Sequence, residues 1–382
     1  MEELFPGILS FRWEYLVMYA IGGALIYLAI KKDYEPMLLL PIGFGAILVN
    51  LPLGSIWSYE GIDGVLQIFY KVGILTEIFP VLIFVAVGAM IDFSPLLKQP
   101  KMLFFGAAAQ FGIFFTTMLA LFLNSIFPEL GFDLKTASAI GIIGAADGPT
   151  SIFVAAKFAR EWLAPISVAA YSYMALVPVI QPPVIRMMTT KEERKIRMTY
   201  TDTKISKTVL VLFPILVTII AGIIAPISVP LVGLLMFGNL IRESGVLERL
   251  SKAAQNELAN LVTLLLGITI GGTMHYEKFL DYRTLLIMLM GLVAFVFDTA
   301  GGVAFAKLLN LFSKNKVNPM IGAAGISAFP MSARIVQKMA KEADPHNFIL
   351  MQAVSANVAG QLGSIVAGGM VLALVPWLLT LL

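Results

Sequence analysis

Long apolar runs alternate with short polar clusters from one end of the chain to the other. Runs such as Tyr15 to Ile30, Met102 to Leu123, Val209 to Ile224 and Leu285 to Ala306 carry few or no charges. Each approaches the ~20 residues that a helix needs to cross roughly 30 Å of hydrocarbon. The pattern predicts helices at about 14–31, 37–51, 74–92, 102–123 and 163–184 in the first half. In the second half it predicts them at about 208–226, 228–241, 258–275 and 284–307, with a last crossing that starts near 347. The stretch after Asn347 is too long for one span, and Gly360, Gly363, Gly368 and Gly369 offer places to break it.

Two further segments are apolar but rich in glycine and proline, and they are related to each other. Residues 140–159 read IGIIGAADGPTSIFVAAKFA and residues 321–340 read IGAAGISAFPMSARIVQKMA. At an offset of 181, seven of these twenty positions are identical: Ile140/Ile321, Gly141/Gly322, Gly144/Gly325, Pro149/Pro330, Ser151/Ser332, Lys157/Lys338 and Ala159/Ala340. Flanking matches occur in the same order, Phe44-Gly45 with Phe237-Gly238 and Gly88-Ala89-Met90 with Gly272-Thr273-Met274. The chain therefore reads as two repeats, 1–186 and 208–382, joined by a basic linker at 187–207.

Lysine and arginine set the orientation. The linker holds Arg186, Lys191, Arg194, Lys195, Arg197, Lys204 and Lys207 at or near its ends, the strongest basic stretch, and is placed in the cytoplasm. No basic residue lies between Lys32 and Lys71 or between Lys101 and Lys135, so those loops are placed outside. With an outside N-terminus, the linker reaches the cytoplasm only if 138–158 enters and returns on one side. The matching segment 318–338 then enters from the other side, and 20 of the 27 Lys+Arg residues lie inside. Each matched segment runs opposite to its partner, which is the inverted-repeat plan of secondary transporters. A pair of broken helices that cross at mid-membrane is the alternative, with irregular backbone at the same depth. The expected fold is an all-α polytopic membrane protein of two inverted repeats, each with about five transmembrane helices and one re-entrant or broken segment.

Composition agrees with a membrane class. Of 382 residues, 58% are apolar and 13% charged, against about 25% charged in a soluble domain. A net charge of +3 gives no reason to expect nucleic acid. The absence of cysteine excludes disulfides and thiolate metal sites, and two histidines argue against zinc or haem. The acidic start, Met1 to Phe11, does not resemble a cleaved signal peptide, so insertion is expected to rely on the first helix.

Irregular backbone inside a bilayer is tolerated only when buried in protein or lining a wet cavity. Gly141, Gly144, Gly148 and Pro149 oppose regular helix in the first segment, and Gly322, Gly325 and Pro330 do so in the second. Carbonyl oxygens freed there can replace the hydration shell of a hard cation. Asp147 sits at the first break, where an unpaired charge costs about 2.5–3.5 kcal/mol on insertion scales. A bound cation or proton would offset that cost; so would pairing with Arg334 or capping a half-helix. Thr150 and Ser151 add hydroxyl oxygens, or serve as helix caps. Asn318, Ser327 and Ser332 offer neutral oxygens in the second segment. Arg334 either binds a carboxylate from the cytoplasm or snorkels to the interface. Tyr171 and Tyr173 follow the first break, Asn357 and Gln361 lie on the last helix within reach of the second, and Asp298 in FDTAGG either pairs between helices or lines the pathway.

The stretches GAADGPTS (144–151) and NPMIGAAGISAFPMSAR (318–334) resemble the β subunits of sodium-pumping biotin-dependent decarboxylases, which act in oxaloacetate, methylmalonyl-CoA, glutaconyl-CoA and malonate decarboxylases. The likeness extends over nearly the whole chain. It implies a subunit of the prokaryotic cytoplasmic membrane that decarboxylates carboxybiotin and exports Na+ while a proton is taken up. Its implied partners are a biotin carrier protein, a carboxyltransferase α subunit, a small membrane γ/δ subunit and further copies of the chain. The family's aspartate matches Asp147; its tyrosine best matches Tyr173, with Tyr171 second; its asparagine, glycine, serine and arginine match Asn318, Gly322, Ser327 and Arg334. On this likeness Asp147, Tyr173, Ser327 and Arg334 are the catalytic candidates, with Arg334 holding the carboxybiotin. Asp147, Thr150, Asn318, Gly322 and Ser327 are the candidate sodium ligands. The chain has no Ala-Met-Lys-Met biotin-attachment motif and no nucleotide loop, so the carrier is expected to be a separate protein. The main rival is a sodium-coupled carboxylate transporter of related plan, and a passive ion channel is a third reading.

Overall fold

The computed structural model describes residues 6–59, 61–199 and 204–381. Residues 1–5 of the acidic start and 200–203 of the linker lie outside them. Among the described residues the only sheet is a hairpin pairing Ser58–Tyr59 with Ile62–Asp63. All other regular structure is helical.

In the first half the chain forms α1 (Trp13–Lys32), α2 (Pro36–Val49), a span bent by 61° between α3 (Val65–Ile74) and α4 (Ile78–Met90), and α5 (Pro100–Ile126). Next come α6 (Leu134–Ala145) and α7 (Gly148–Phe158), then a span bent by 69° between α8 (Arg160–Ala175) and α9 (Val177–Met188). The linker holds a single turn, α10 (Lys191–Arg194), closed by a Thr190/Glu193 capping box. The second half has α11 (Lys207–Ile224), α12 (Pro226–Ser244), α13 (Glu248–Gly272) and α14 (Tyr282–Phe312). It finishes with the short α15 (Met320–Ala323), α16 (Met331–Ala343) and α17 (Leu350–Leu379). Among the described residues seven helices are long and apolar enough to span a bilayer, and the two bent pairs raise the count to nine. The shorter α2 lies between them, packed on α1 and α13.

Contacts sort the loops into two ends. At the first, Arg12 donates to the Tyr276 hydroxyl, Trp57 meets His275 edge-on, Lys157 pairs with Glu77 at 2.6 Å and Arg283 lies over Trp162. At the second, Arg186 pairs with Glu342, Arg197 with Asp344 and Lys307 with Glu193, and Arg242 donates to the Met90 carbonyl. The linker lies at this second end, where its last lysine, Lys207, sits beside Gly245.

The α6–α7 segment begins and finishes at the first end, next to the Phe132–Trp162 contact and the Lys157–Glu77 pair respectively. It turns back on itself: Ser151 Oγ donates to the Ile142 carbonyl at 3.4 Å. In a continuous helix residues that far apart in sequence would stand about 13 Å apart. The α15–α16 segment begins and finishes at the second end, from Asn318 on the linker carbonyls to Glu342 on Arg186. It turns back with the same bond, Ser332 Oγ to the Ala323 carbonyl at 3.0 Å. The two serines and the two carbonyls are each 181 positions apart.

Glycines mark the tightest crossings between the halves. α4 and α12 approach so closely that a Cβ on Gly88 would lie 1.8 Å from the Leu235 carbonyl oxygen, and one on Gly238 2.0 Å from that of Val85. α2 and α13 cross in the same way at Gly45 and Gly271. Small residues allow such contact where lipid supplies no hydrophobic drive between helices.

One expectation is overturned. The stretch from Leu350 to Leu379 is one unbroken helix. Its glycines serve close packing instead of a break. A Cβ on Gly360 would lie 2.0 Å from the Gly325 carbonyl oxygen, and one on Gly369 2.3 Å from Ser228 Cβ. The helix leads from the linker end, where Asn347 just before it bonds the Arg194 carbonyl, to the other end, where Gly369 meets Ser228. The predicted spans 74–92 and 163–184 exist but are bent, the first behind a π turn at Tyr70–Ile74 and the second ahead of Pro178.

Candidate functional site

Asp147 is the N-cap of α7 and is 2% exposed. The chain reaches it through Ala146, whose φ of 51° is left-handed, and this reversal ends α6. Pro149 then starts α7, where its missing N–H costs nothing. The capping bond from the Thr150 amide to Oδ1 is long, 3.4 Å, and the stronger contacts fall on Oδ2. Thr150 Oγ1 and Ser364 Oγ each donate to it at 2.7 Å, and Gln361 Nε2 donates at 3.2 Å. Among the described residues no lysine, arginine or histidine pairs with Asp147. The aspartate is thus held by neutral donors from α7 and α17. That leaves its negative charge uncompensated by any protein cation, the situation in which a buried carboxylate draws a metal ion or a proton.

The second break adjoins the first. The Ser327 amide donates to the Ala145 carbonyl at 3.3 Å, so the two irregular segments touch through their main chains. Ser327 Oγ donates to the Gly360 carbonyl, and Asn357 Nδ2 donates to the Ile326 carbonyl at 2.7 Å. Helix α17 therefore threads between the breaks and bonds to both. Two buried polar atoms remain without a partner here, Asn357 Oδ1 and the Tyr171 hydroxyl.

A cavity of about 270 Å³ opens onto this junction. Asp147, Tyr171, Ser327 and Gln361 line its inner part, and Glu35 and Thr263 lie on its walls further out. Tyr171 is fixed by contact with Gly148, where a Cβ would lie 2.1 Å from its ring.

The structure brings together Asp147, Thr150 and Ser327, and it separates them from the other candidates. Asn318 is buried at the linker, where Nδ2 donates to the carbonyls of Arg194 and Ile196 at 2.9 Å and Oδ1 accepts from the Met320 amide. Gly322 packs against Gly302 of α14, backbone to backbone. Arg334 is exposed on α16. Tyr173 donates to the Met288 carbonyl at 2.5 Å and lies outside the cavity wall, whereas Tyr171 is part of it. Asp298 is fully buried, with Oδ1 beside Gly112 and Oδ2 beside Gly144 of the first break.

Ser364 was not among the residues singled out from the sequence. Asn357, Gln361 and Ser364 follow an i, i+4, i+7 spacing on an otherwise apolar helix, which places them on one face. That stripe was the available signal.

Comparison with known proteins decides the family. Residues 14–375 match the family described as the Na+-transporting oxaloacetate decarboxylase beta subunit. The chain belongs to this family. It is a membrane subunit of a sodium-translocating decarboxylase. Relatives within the family include the glutaconyl-CoA decarboxylase subunit beta of Acidaminococcus fermentans, 51% identical over 371 residues, 97% of this chain and 95% of that one. The oxaloacetate decarboxylase beta chain of Klebsiella pneumoniae is 46% identical, with 93% and 94% of the two chains aligned. The methylmalonyl-CoA decarboxylase subunit beta of Propionigenium modestum is 45% identical, with 94% of each aligned. Beta subunits that carry three different substrate names are thus similar to this chain along nearly its full length.

Proposed function

We propose that this beta subunit decarboxylates carboxybiotin, presented by a separate carrier protein at the linker end, and couples that step to Na+ export with uptake of a proton. The observation that carries the reading is Asp147, buried without a cationic partner where the two breaks touch. Its carboxylate, with the hydroxyl lone pairs of Thr150, Ser364 and Ser327 nearby, offers oxygen ligands of the kind that suit a hard monovalent cation. Na+ and a proton exclude each other on one carboxylate, so protonation of Asp147 releases the ion. Moving one charge against 100 mV costs about 2.3 kcal/mol.

Loss of CO₂ breaks the N–carboxylate bond and returns its electron pair to the ureido nitrogen, which then takes a proton. The chain must hold an anion and deliver that proton. Arg334, exposed on α16, is the anion holder in this scheme. Tyr171, whose hydroxyl is buried in the cavity with no partner, is the better placed proton carrier; Tyr173 instead anchors α8 to α14 through Met288. Asn318 and Gly322 act on the site through the first arm of the second hairpin, by fixing it to the linker and to α14.

The seating of one hairpin at each end supports the inverted-repeat plan, with 1–186 and 208–382 as the two units. The concentration of basic residues at the linker end supports a cytoplasmic position for it, with the N-terminus outside. The expected assembly contains a carboxyltransferase α subunit, a biotin carrier, a small γ/δ membrane subunit and further copies of this chain in a prokaryotic cytoplasmic membrane. Sodium-22 transport by the reconstituted complex, driven in turn by oxaloacetate, glutaconyl-CoA and methylmalonyl-CoA, tests the function and identifies the substrate. Transport with one of them is expected; decarboxylation that runs at full rate without Na+ would contradict the coupling.

A further inference from the structure

The cavity that reaches Asp147 carries a second carboxylate. Glu35 lies in its wall, half-buried, between α1 and α2. Its position is the N-cap of α2, yet its side chain makes no capping bond. Among the described residues it has no ion pair and no side-chain hydrogen bond. Its backbone is left-handed at φ 38°, a conformation disfavoured for a residue with a Cβ. A purely structural explanation as a helix cap therefore lacks its defining contact.

The location of Glu35 is that of an outer mouth. Met90 and Ile91 line the same cavity, and Arg242 and Asn239 donate to their carbonyls at the linker end of the molecule. Asn260 and Thr263, at i, i+3 on α13, present neutral oxygens in the cavity wall. Tyr171 lines this cavity together with Glu35 and Asp147, and its buried hydroxyl has no hydrogen-bond partner. Among the described residues no positively charged side chain lines the cavity. Two carboxylates facing one water-accessible space of low-dielectric walls focus a negative potential that raises the local concentration of cations. Burial, with Asp33 adding to it, holds the Glu35 carboxyl above the usual carboxylate range, as expected for a group that lacks a bound countercharge.

We infer that Glu35, with Asn260 and Thr263, forms a second cation site at the linker-side mouth of the cavity, where Na+ is captured before it passes Tyr171 to Asp147. The inference rests on the reading of Asp147 as the inner sodium site. The oxygen-only donor set, with a single carboxylate, fits a monovalent ion better than a divalent one, which would call for more anionic ligands.

The native chain has no cysteine, which makes a single introduced thiol an unambiguous reporter. Met37 is 50% exposed, lines the same mouth and is not an oxygen donor, so M37C in the intact complex reports on the outer site. Its rate of alkylation by a membrane-impermeant maleimide is measured against NaCl, with choline chloride holding ionic strength constant. Sodium is expected to slow labelling. In M37C/E35Q the sodium concentration for half-protection should rise about tenfold. M37C/E35D, which keeps the carboxylate, should fall between the two and serves also as the check that position 35 tolerates change in the assembled complex. M37C/D147N should retain protection, because the outer site binds without the inner one. Absence of sodium-specific protection in M37C, or half-protection unchanged by both E35Q and E35D, would overturn the outer site. Loss of protection in D147N with none in E35Q would assign the effect to the inner site alone. A D147N complex that still couples decarboxylation to Na+ would defeat the inner-site reading separately.

Discussion

The Ser327 amide and the Ala145 carbonyl form a hydrogen bond of 3.3 Å that joins the second break directly to the first. Each break is also tied by a serine to its own hairpin, Ser151 to Ile142 and Ser332 to Ala323. The Ser332 bond is the shorter, and Gln181 of α9 shares it through contacts of 2.8 and 3.1 Å. S332A should therefore destabilise more than S151A. It leaves the buried Gln181 Oε1 without its donor, which costs about 1–3 kcal/mol, while Gln181 Nε2 keeps the Ala323 carbonyl at 2.7 Å. Thermal denaturation of the purified subunit checks the order; S151A as the more damaging change would contradict it.

On the proposed reading of Asp147 as the sodium site, the donors on its carboxylate set how well it holds the ion. S364A removes one of the two shortest bonds to Oδ2 and one oxygen beside the site. A hydrogen bond to a charged group contributes about 1.5–3 kcal/mol, so the half-saturating Na+ concentration for decarboxylation should rise between about tenfold and a hundredfold. The rate at saturating Na+ should change less. Kinetics over a Na+ series check this, and an unchanged half-saturation would remove Ser364 from the site.

The two tyrosines predict opposite phenotypes. Y173F loses the bond to Met288 and should lower thermal stability by about 1 kcal/mol. Y171F deletes a buried hydroxyl that has no partner and should leave stability unchanged or higher. Its defect should appear in sodium-coupled turnover and its pH profile. Paired melting curves and turnover measurements separate the two roles; a stable, uncoupled Y173F beside a normal Y171F would reverse them.

The linker is docked on the second hairpin by Asn318 and by the Arg197–Asp344 pair. The Arg197 guanidinium holds the Asp344 carboxyl below the usual range, and the His346 amide adds to this. A carboxyl lowered on docking contributes above its free pKa and loses that contribution as pH falls through the lowered value. Linker docking should therefore be constant near neutral pH and loosen only in acid, below about pH 4. Protease cutting within 190–207 should follow the same curve. D344N should remove the acid step, and N318A should raise cutting at every pH.

Much of this fold is legible because burial in lipid writes long apolar runs, and because the hairpins repeat Gly141, Gly144, Pro149 and Ser151 at Gly322, Gly325, Pro330 and Ser332. Asp147 stood out since a lone acid in such a run is expensive. Gly360, Gly363, Gly368 and Gly369 were ambiguous, because glycine permits both a break and a close approach, and only the neighbouring backbone decides between them. Which of Tyr171 and Tyr173 lines the cavity was hidden for a related reason. Residues two apart on a helix point in different directions, and which direction meets Asp147 depends on the crossing of α8 with α7. Glu35 gave no signal at all, since a charged residue in a short loop ordinarily means only a solvated turn.

Sodium-22 accumulation by proteoliposomes that hold the complete complex, compared between wild type and D147N at matched amounts of assembled protein, bears most directly on the role of the buried aspartate. The account predicts substrate-driven accumulation with wild type, and with D147N neither accumulation nor any stimulation of decarboxylation by Na+. Accumulation by D147N at the wild-type rate would contradict it.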